Sequence, residues 1–169
     1  DFRLNVDKWL EKLVTYKQKY SSTTGIDGKV KIPNQIIKSI SQSSSDHDIM
    51  CVDVGQHQMW VAQSFDTKKD QRVLFSGGMG AMGFALPIAI GATIGTGKRA
   101  LVIVGDGGMQ MNIQELEVIK RRNLPIKIFI MNNANLGMVR QFQEIYFEKR
   151  YIGTQKDYSV PNFESIANA

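Results

Sequence analysis

The feature that most constrains this chain is Ala100-Leu101-Val102-Ile103-Val104, an apolar run without a polar break, closed by Gly105-Asp106-Gly107-Gly108. A strand with one wet face alternates apolar and polar residues, because successive side chains point to opposite sides of a sheet. An unbroken run is the pattern of a strand covered on both faces, as in parallel sheets flanked by helices. Residues 126–131 read as a second strand, and residues 49–54 and 72–75 as two more. Between them, residues 58–63 and the small-residue-rich 81–94 read as helices. Asn112 is placed as a helix N-cap, with Glu115 in the capping-box position and Ile113, Leu116 and Ile119 as the buried stripe. The alternation predicts an α/β fold: a doubly wound, mostly parallel sheet with helices on both faces, whose ligands bind beyond the carboxyl ends of the strands.

Residues 4–20 set Leu4, Trp9, Leu10, Leu13 and Val14 among lysines at helical spacing, which predicts an amphipathic helix. A Gly- and Thr-containing loop follows, and Pro33 opens a helix through Ile36, Ile37 and Ile40 that the serines at 41–45 end. Residues 1–32 are accordingly read as a helix and linker from a preceding domain, and 33–169 as the sheet domain. Phe163, Ile166 and Ala167 begin an amphipathic stripe at the very end, so the domain is expected to be truncated there and the chain to be part of something larger.

Other classes are excluded by composition. With 43% hydrophobic and 22% charged residues, the 169-residue chain is neither disordered nor fibrous. Its net charge of +5 is scattered. The one basic run, Lys120-Arg121-Arg122, follows Glu115 and Glu117 and reads as a solvated helix face, so no nucleic-acid partner is expected. His47, between Asp46 and Asp48, reads as exposed. A single cysteine, Cys51, lies in an apolar stretch and reads as a buried, inert thiol in a reducing compartment. The apolar stretch 84–94 is about half of a bilayer span and contains Pro87 and Gly91, so no membrane is expected and a cytoplasmic location is.

Four polar or glycine-rich segments each follow a strand: Gly55-Gln56-His57-Gln58, Ser76-Gly77-Gly78-Met79-Gly80, Gly105-Asp106-Gly107-Gly108 and Asn132-Asn133-Ala134-Asn135. In a parallel sheet all four emerge on one edge and can converge. Asp106 and Asn133 are separated by a single βαβ unit, which brings their strand ends together. A carboxylate with an amide oxygen is a sparse oxygen set suited to Mg²⁺, which shares its ligation with phosphates and water. Glycines 105, 107 and 108 let backbone N–H groups approach a phosphate. Two readings stand for this loop: a diphosphate held by Mg²⁺, or a tight turn in which Asp106 bonds its own loop, since no G-x-G-x-x-G follows the strand. The pairing with Asn132-Asn133 favours the first.

Gly105-Asp106-Gly107 followed by Asn132-Asn133 resembles the signature of thiamine-diphosphate-dependent enzymes. Val54-Gly55-Gln56-His57-Gln58-Met59-Trp60, Ser76-Gly77-Gly78-Met79-Gly80-Ala81-Met82-Gly83-Phe84 and Leu136-Gly137-Met138-Val139-Arg140-Gln141 are similar to consecutive motifs of the acetohydroxyacid synthase (acetolactate synthase) branch. The resemblance runs from about residue 32 to the carboxyl end and corresponds to the diphosphate-binding domain of a three-domain subunit. It implies a Mg²⁺ ion held by Asp106, the side chain of Asn133 and the backbone carbonyl of Asn135. It implies a diphosphate lined by Val54, Gly55, Gln56, His57, Gly107 and Gly108. Gly80, Ala81 and Met82 would also meet the cofactor, with Met82 wedged between its two rings, and Leu136, Gly137 and Met138 would lie beside it. The implied reaction is a transferase one: decarboxylation of a 2-oxo acid such as pyruvate, then condensation with a second 2-oxo acid.

Ring activation in that family needs a glutamate from a pyrimidine-binding domain of a partner subunit. None of Glu115, Glu117, Glu144 or Glu148 is assigned that role, so no catalytic residue is expected in this chain, and a homodimer or homotetramer is implied. FAD, where used, would bind elsewhere in the full-length protein. Phe142 stands where many members have tryptophan, in the pocket for the second substrate, which leaves other carboligase or decarboxylase substrates open; so does a non-catalytic nucleotide-binding module. On the residues alone, Met82 and Met138 would ordinarily be core, His57 reads equally as a helix-start residue or an anion contact, and Arg140 equally as a carboxylate or phosphate clamp or an exposed helix residue.

Overall fold

Alternate residues of the two central strands feed two separate apolar layers in the computed structural model, which describes residues 6–25 and 27–169. In chain order the elements are α1 (Val6–Lys19), α2 (Ile32–Ser43), β1 (Ile49–Val52), α3 (Gln56–Ser64), β2 (Arg72–Phe75) and α4 (Ala85–Thr96). Then come β3 (Ala100–Gly105), α5 (Asp106–Met111), a 3-10 turn (Ile113–Glu115), α6 (Leu116–Arg121), β4 (Ile126–Met131), α7 (Gly137–Tyr146) and α8 (Phe163–Asn168). All strand pairs are parallel, in the order β2-β1-β3-β4. The chain runs outward from β1 to β2, returns across the sheet to β3 and continues to β4. That reversal between β1 and β3 is where a doubly wound sheet opens a crevice at its carboxyl edge.

On one side of the sheet Cys51, Val102 and Val104 pack with Ala85, Leu86 and Ala89 of α4 and Met109 of α5. On the other, Met50, Val52, Leu101 and Ile103 meet Ile37 and Ile40 of α2 and Val61 of α3. Both faces of β3 are thus dry, as its unbroken apolar run requires, and each large aliphatic side chain so buried contributes roughly 1.5–3 kcal/mol. Alanines on α4 let that helix lie close to the strands. Cys51 is free and wholly buried. The basic run 120–122 and His47 are exposed. Among the described residues no helix is long and apolar enough to cross a membrane.

Several local expectations are corrected. β1 ends at Val52 rather than 54, because Gly55 takes φ 156, ψ −166, a region open only to glycine, and turns the chain directly into α3 at Gln56. The helix expected from 81 begins at Ala85, and 81–84 form a turn with Gly83 at φ 81, so Met82 is a turn residue. Asn112 stands at the N-cap of the 3-10 turn as expected, but its side chain makes no capping bond, and its Nδ2 donates to the carbonyl of Gly83 at 2.6 Å. The helix after the glycine loop starts at Asp106 itself. Helix α1 forms as expected, but Trp9, Leu10, Leu13 and Val14 are exposed, so its stripe is uncovered among the described residues; Leu4 lies outside them.

Candidate functional site

A cleft lies at the carboxyl edge over the point where the strand order reverses between β1 and β3, the place where doubly wound sheets bind their ligands. From the end of β1 come Val54, Gly55, Gln56 and His57; from the end of β3, Gly105, Asp106, Gly107 and Gly108; from the loop after β4 and the start of α7, Asn133, Asn135, Leu136, Gly137 and Met138. Met82 enters from the turn before α4. Trp60, Met131 and Val139 line it too and were not anticipated; ordinary core-type residues carry no sequence signal for a cleft. Gly80 and Ala81 are exposed and do not line the cleft, although Ala81 borders a shallower recess that shares Met82. Phe142 also lies outside, one turn along α7, 54% exposed and with its ring 4.6 Å from that of Tyr146.

Asp106 is 2% exposed, and its Oδ2 accepts a hydrogen bond from the Tyr158 hydroxyl at 2.9 Å. Gln110 Nε2 donates to the same hydroxyl at 3.3 Å. Burial, with the Asp106 carboxylate beside it, pushes the Tyr158 phenol up to about 12, so it stays a donor at neutral pH. Tyr158 was missed because it lies 52 residues along the chain from Asp106, in an irregular segment.

The Asn132-Asn133-Ala134-Asn135 loop is a pair of overlapping side-chain turns. Asn132 Oδ1 accepts from Ala134 N at 3.1 Å and Asn133 Oδ1 from Asn135 N at 3.2 Å. These bonds hold Ala134 at φ 52, a left-handed conformation that a non-glycine residue adopts at a cost. Asn133 Nδ2 donates to Gln56 Oε1 at 3.0 Å, which orients the amide across the cleft. Asn135 Oδ1 is buried without a partner.

His57 is 4% exposed, and its Nε2 is also buried without a partner. Burial holds the imidazole below its ordinary value of 6.5, against the opposing pull of the Asp53 and Asp106 carboxylates, so it is neutral at pH 7. Orphaned buried polar atoms are rare and call for a partner. The glycines let neighbouring side chains pack against the backbone of the cleft floor. A Cβ on Gly107 would stand 2.5 Å from Leu136 Cδ2 and 3.2 Å from Met82 Cε.

Asp53 was read only as part of a strand, yet it organises the site. Its carboxylate is wholly buried and accepts from Val54 N at 2.8 Å, Gly83 N at 2.9 Å and Ala85 N at 2.9 Å. An aspartate closing an apolar strand was the available signal; its partners, some thirty residues away, were not.

Among the described residues no three His, Cys, Asp or Glu side chains gather to hold a metal ion. Asp106 lines the same cleft as Asn133 and Asn135, and a carboxylate with neutral amide and carbonyl oxygens is a donor set that would leave a hard cation positions for phosphate and water. Together with the two orphaned polar atoms, this suits a phosphorylated ligand. Fold and cleft therefore define an α/β domain with a cofactor crevice at its topological switch point. The sequence matches the family described as "Thiamine pyrophosphate enzyme, C-terminal TPP binding domain" over residues 53–169, and the chain belongs to that family.

The chain is 40% identical over 169 residues to the acetolactate synthase large subunit of Lactococcus lactis, covering 99% of this chain and 29% of that protein. It is 38% identical over 176 residues to the chloroplastic acetolactate synthase of Arabidopsis thaliana, covering 100% and 26%. With isozyme 2 of the Escherichia coli large subunit the identity is 35% over 167 residues, covering 98% and 30%. The chain thus spans less than a third of the length of the curated relatives it matches.

Proposed function

We propose that this chain is the diphosphate-binding portion of a larger acetolactate synthase-like transferase, residues 33–169 forming the cofactor domain and 1–32 leading in from a preceding one. The reading rests on one observation: Asp106, the Asn133–Asn135 loop, His57 and the glycines at the ends of β1 and β3 line a single cleft. Asp106, Asn133 Oδ1 and the Asn135 carbonyl are proposed to hold Mg²⁺, and the 54–57 and 106–108 segments to hold the diphosphate. Met82 and Leu136 to Met138 would bound the ring end, with Gly80 and Ala81 at its outer margin. Bound thiamine diphosphate supplies the electron sink for decarboxylating a 2-oxo acid and joining it to a second. The protein's share is to orient the cofactor, to exclude water and to hold the cation.

No side chain of this chain is assigned as the ring-activating acid, which is proposed to come from a pyrimidine-binding domain of a partner subunit in a homodimer or homotetramer. FAD, if used, would bind outside this chain. Phe142 in place of tryptophan favours a second reading, in which the acceptor is another oxo acid or aldehyde, because the loss of an indole changes both volume and donor capacity. The test is calorimetry on the full-length protein with thiamine diphosphate, with and without Mg²⁺, against NAD and ATP. Mg²⁺-dependent binding abolished by Asp106→Ala is expected; an equal response to NAD or ATP overturns the assignment. Product analysis with paired 2-oxo acids then identifies the acceptor.

A further inference from the structure

The turn that carries Met82 into the cleft is gripped from both sides. The peptide joining Met82 to Gly83 donates its N–H to Asp53 Oδ1 at 2.9 Å, and the next amide but one, that of Ala85, donates to Asp53 Oδ2 at 2.9 Å. From the other direction Asn112 Nδ2 donates to the Gly83 carbonyl at 2.6 Å, while Asn112 Oδ1 is steadied by Gln114 Nε2 at 3.2 Å. With the peptide planes on both sides of its Cα anchored, Gly83 has no freedom left in φ or ψ, and a side chain there would press within 2.8 Å of Asn112 Nδ2. The direction in which Met82 leaves the backbone is fixed by the same bonds. Its Sδ-methyl end reaches across to Gly107, beside Leu136.

Asp53 is a costly way to hold a turn. It is wholly buried, and among the described residues it forms no ion pair. Burying a charge without a countercharge is unfavourable unless hydrogen bonds compensate, and here backbone amides alone do so. What the carboxylate achieves is two rigid acceptors that tie the end of β1, the Met82 turn and the start of α4 to one point, directly behind Gly108 of the cleft floor. Neither Asp53 nor Asn112 lines the cleft.

We propose that Asp53 and Asn112 are positioning residues that act through Met82, setting it against the ring end of thiamine diphosphate while leaving the diphosphate end untouched. This rests on the cofactor assignment made above. The test, on the full-length protein with Mg²⁺ present, compares affinity for thiamine diphosphate with affinity for inorganic diphosphate, which lacks the rings. Asn112→Ala, at a partly buried site, and Asp53→Asn are each expected to weaken thiamine diphosphate binding about tenfold and diphosphate binding by less than about twofold, as Met82→Ala should. Asn112→Ala added to Met82→Ala should cause no further loss, because a residue acting through another is silent once that other is gone. Equal loss for both ligands, or full additivity, would assign Asn112 a merely structural role and overturn the proposal. Unchanged binding of both ligands to Asn112→Ala overturns it as well, with the cofactor assignment intact. Failure of the wild-type protein to bind either ligand removes the assignment itself and the proposal with it.

Discussion

Adding one methyl group at Gly108 tests the packing behind the cleft. A Cβ there would stand 2.6 Å from Asp53 Oδ1, 2.9 Å from Asp53 Cγ and 3.2 Å from Val104 Cγ2. None of these can swing aside: Asp53 is pinned by three amides, and Val104 lies in a central strand. Overpacking of this kind costs about 1–3 kcal/mol. Prising Asp53 from one amide leaves a buried N–H unpaired, for about 1–3 kcal/mol more. A total of about 2–6 kcal/mol is expected, which speeds hydrogen exchange of the β3 amides by about 30-fold to more than 10⁴-fold where exchange reports the opening equilibrium. The measurement is exchange mass spectrometry of peptides spanning 100–111 in the full-length protein. Gly91→Ala is the control: nothing lies within 4 Å of its added Cβ, and removing a mid-helix glycine from α4 should stabilise by roughly 0.5–1 kcal/mol. The same chemical change thus has opposite signs at two positions. If Gly108→Ala leaves β3 protection unchanged, Asp53 is not the rigid hub described.

Three further outcomes are expected. Because burial depresses the His57 pKa below 6.5, the unfolded state takes up the proton first on acidification. Stability should therefore be full above pH 6.5 and fall as pH drops through the folded value, and His57→Gln should flatten that slope in a pH series of denaturation midpoints. Arg99 makes two bonds to Asp48, Nε to Oδ1 at 2.8 Å and Nη2 to Oδ2 at 2.6 Å. Burial alone would raise the Asp48 carboxyl, but Arg99, the Ser45 amide and Lys68 together hold it below 3.8. Arg99→Ala strands this buried carboxylate and should cost about 1–3 kcal/mol by urea denaturation at neutral pH, with the difference from wild type shrinking as Asp48 protonates in acid. Cys51, its thiol pushed up to about 12 by burial, should resist thiol reagents in the native protein at pH 8 and react fully once unfolded.

What could be read from the chain was whatever local pattern dictates. The dry run 100–104 required two covered faces, and the strand-end segments of a parallel sheet had to share an edge. Residues 72–75 and 126–131 needed no tertiary help to be recognised as strands. What escaped depended on distant partners. Asn112 occupies a cap position, but its Nδ2 donates to the Gly83 carbonyl and its Oδ1 accepts from Gln114 Nε2 instead of a backbone amide. The helix pattern from 81 is interrupted because Asp53 claims the amides of Gly83 and Ala85. Glycines 107 and 108 disfavour a helix by roughly 1 kcal/mol each, yet α5 begins at Asp106 because packing on the sheet outweighs propensity. Tyr158, which bonds Asp106, sits in a segment whose own composition gives no hint of the cleft, and Asp53, although a visible polar end to an apolar strand, has partners some thirty residues away.

The reversal between β1 and β3 also bears on how this domain comes into being. A chain leaving the ribosome presents residues 54–57 first and residues 133–138 last, and synthesis runs at roughly 5–20 residues per second. For several seconds the nascent polypeptide holds one rim of the crevice without the other. The crevice is therefore completed only once its last rim has emerged, and a product released before residue 131 would carry most of the hydrophobic layers yet only part of the crevice wall.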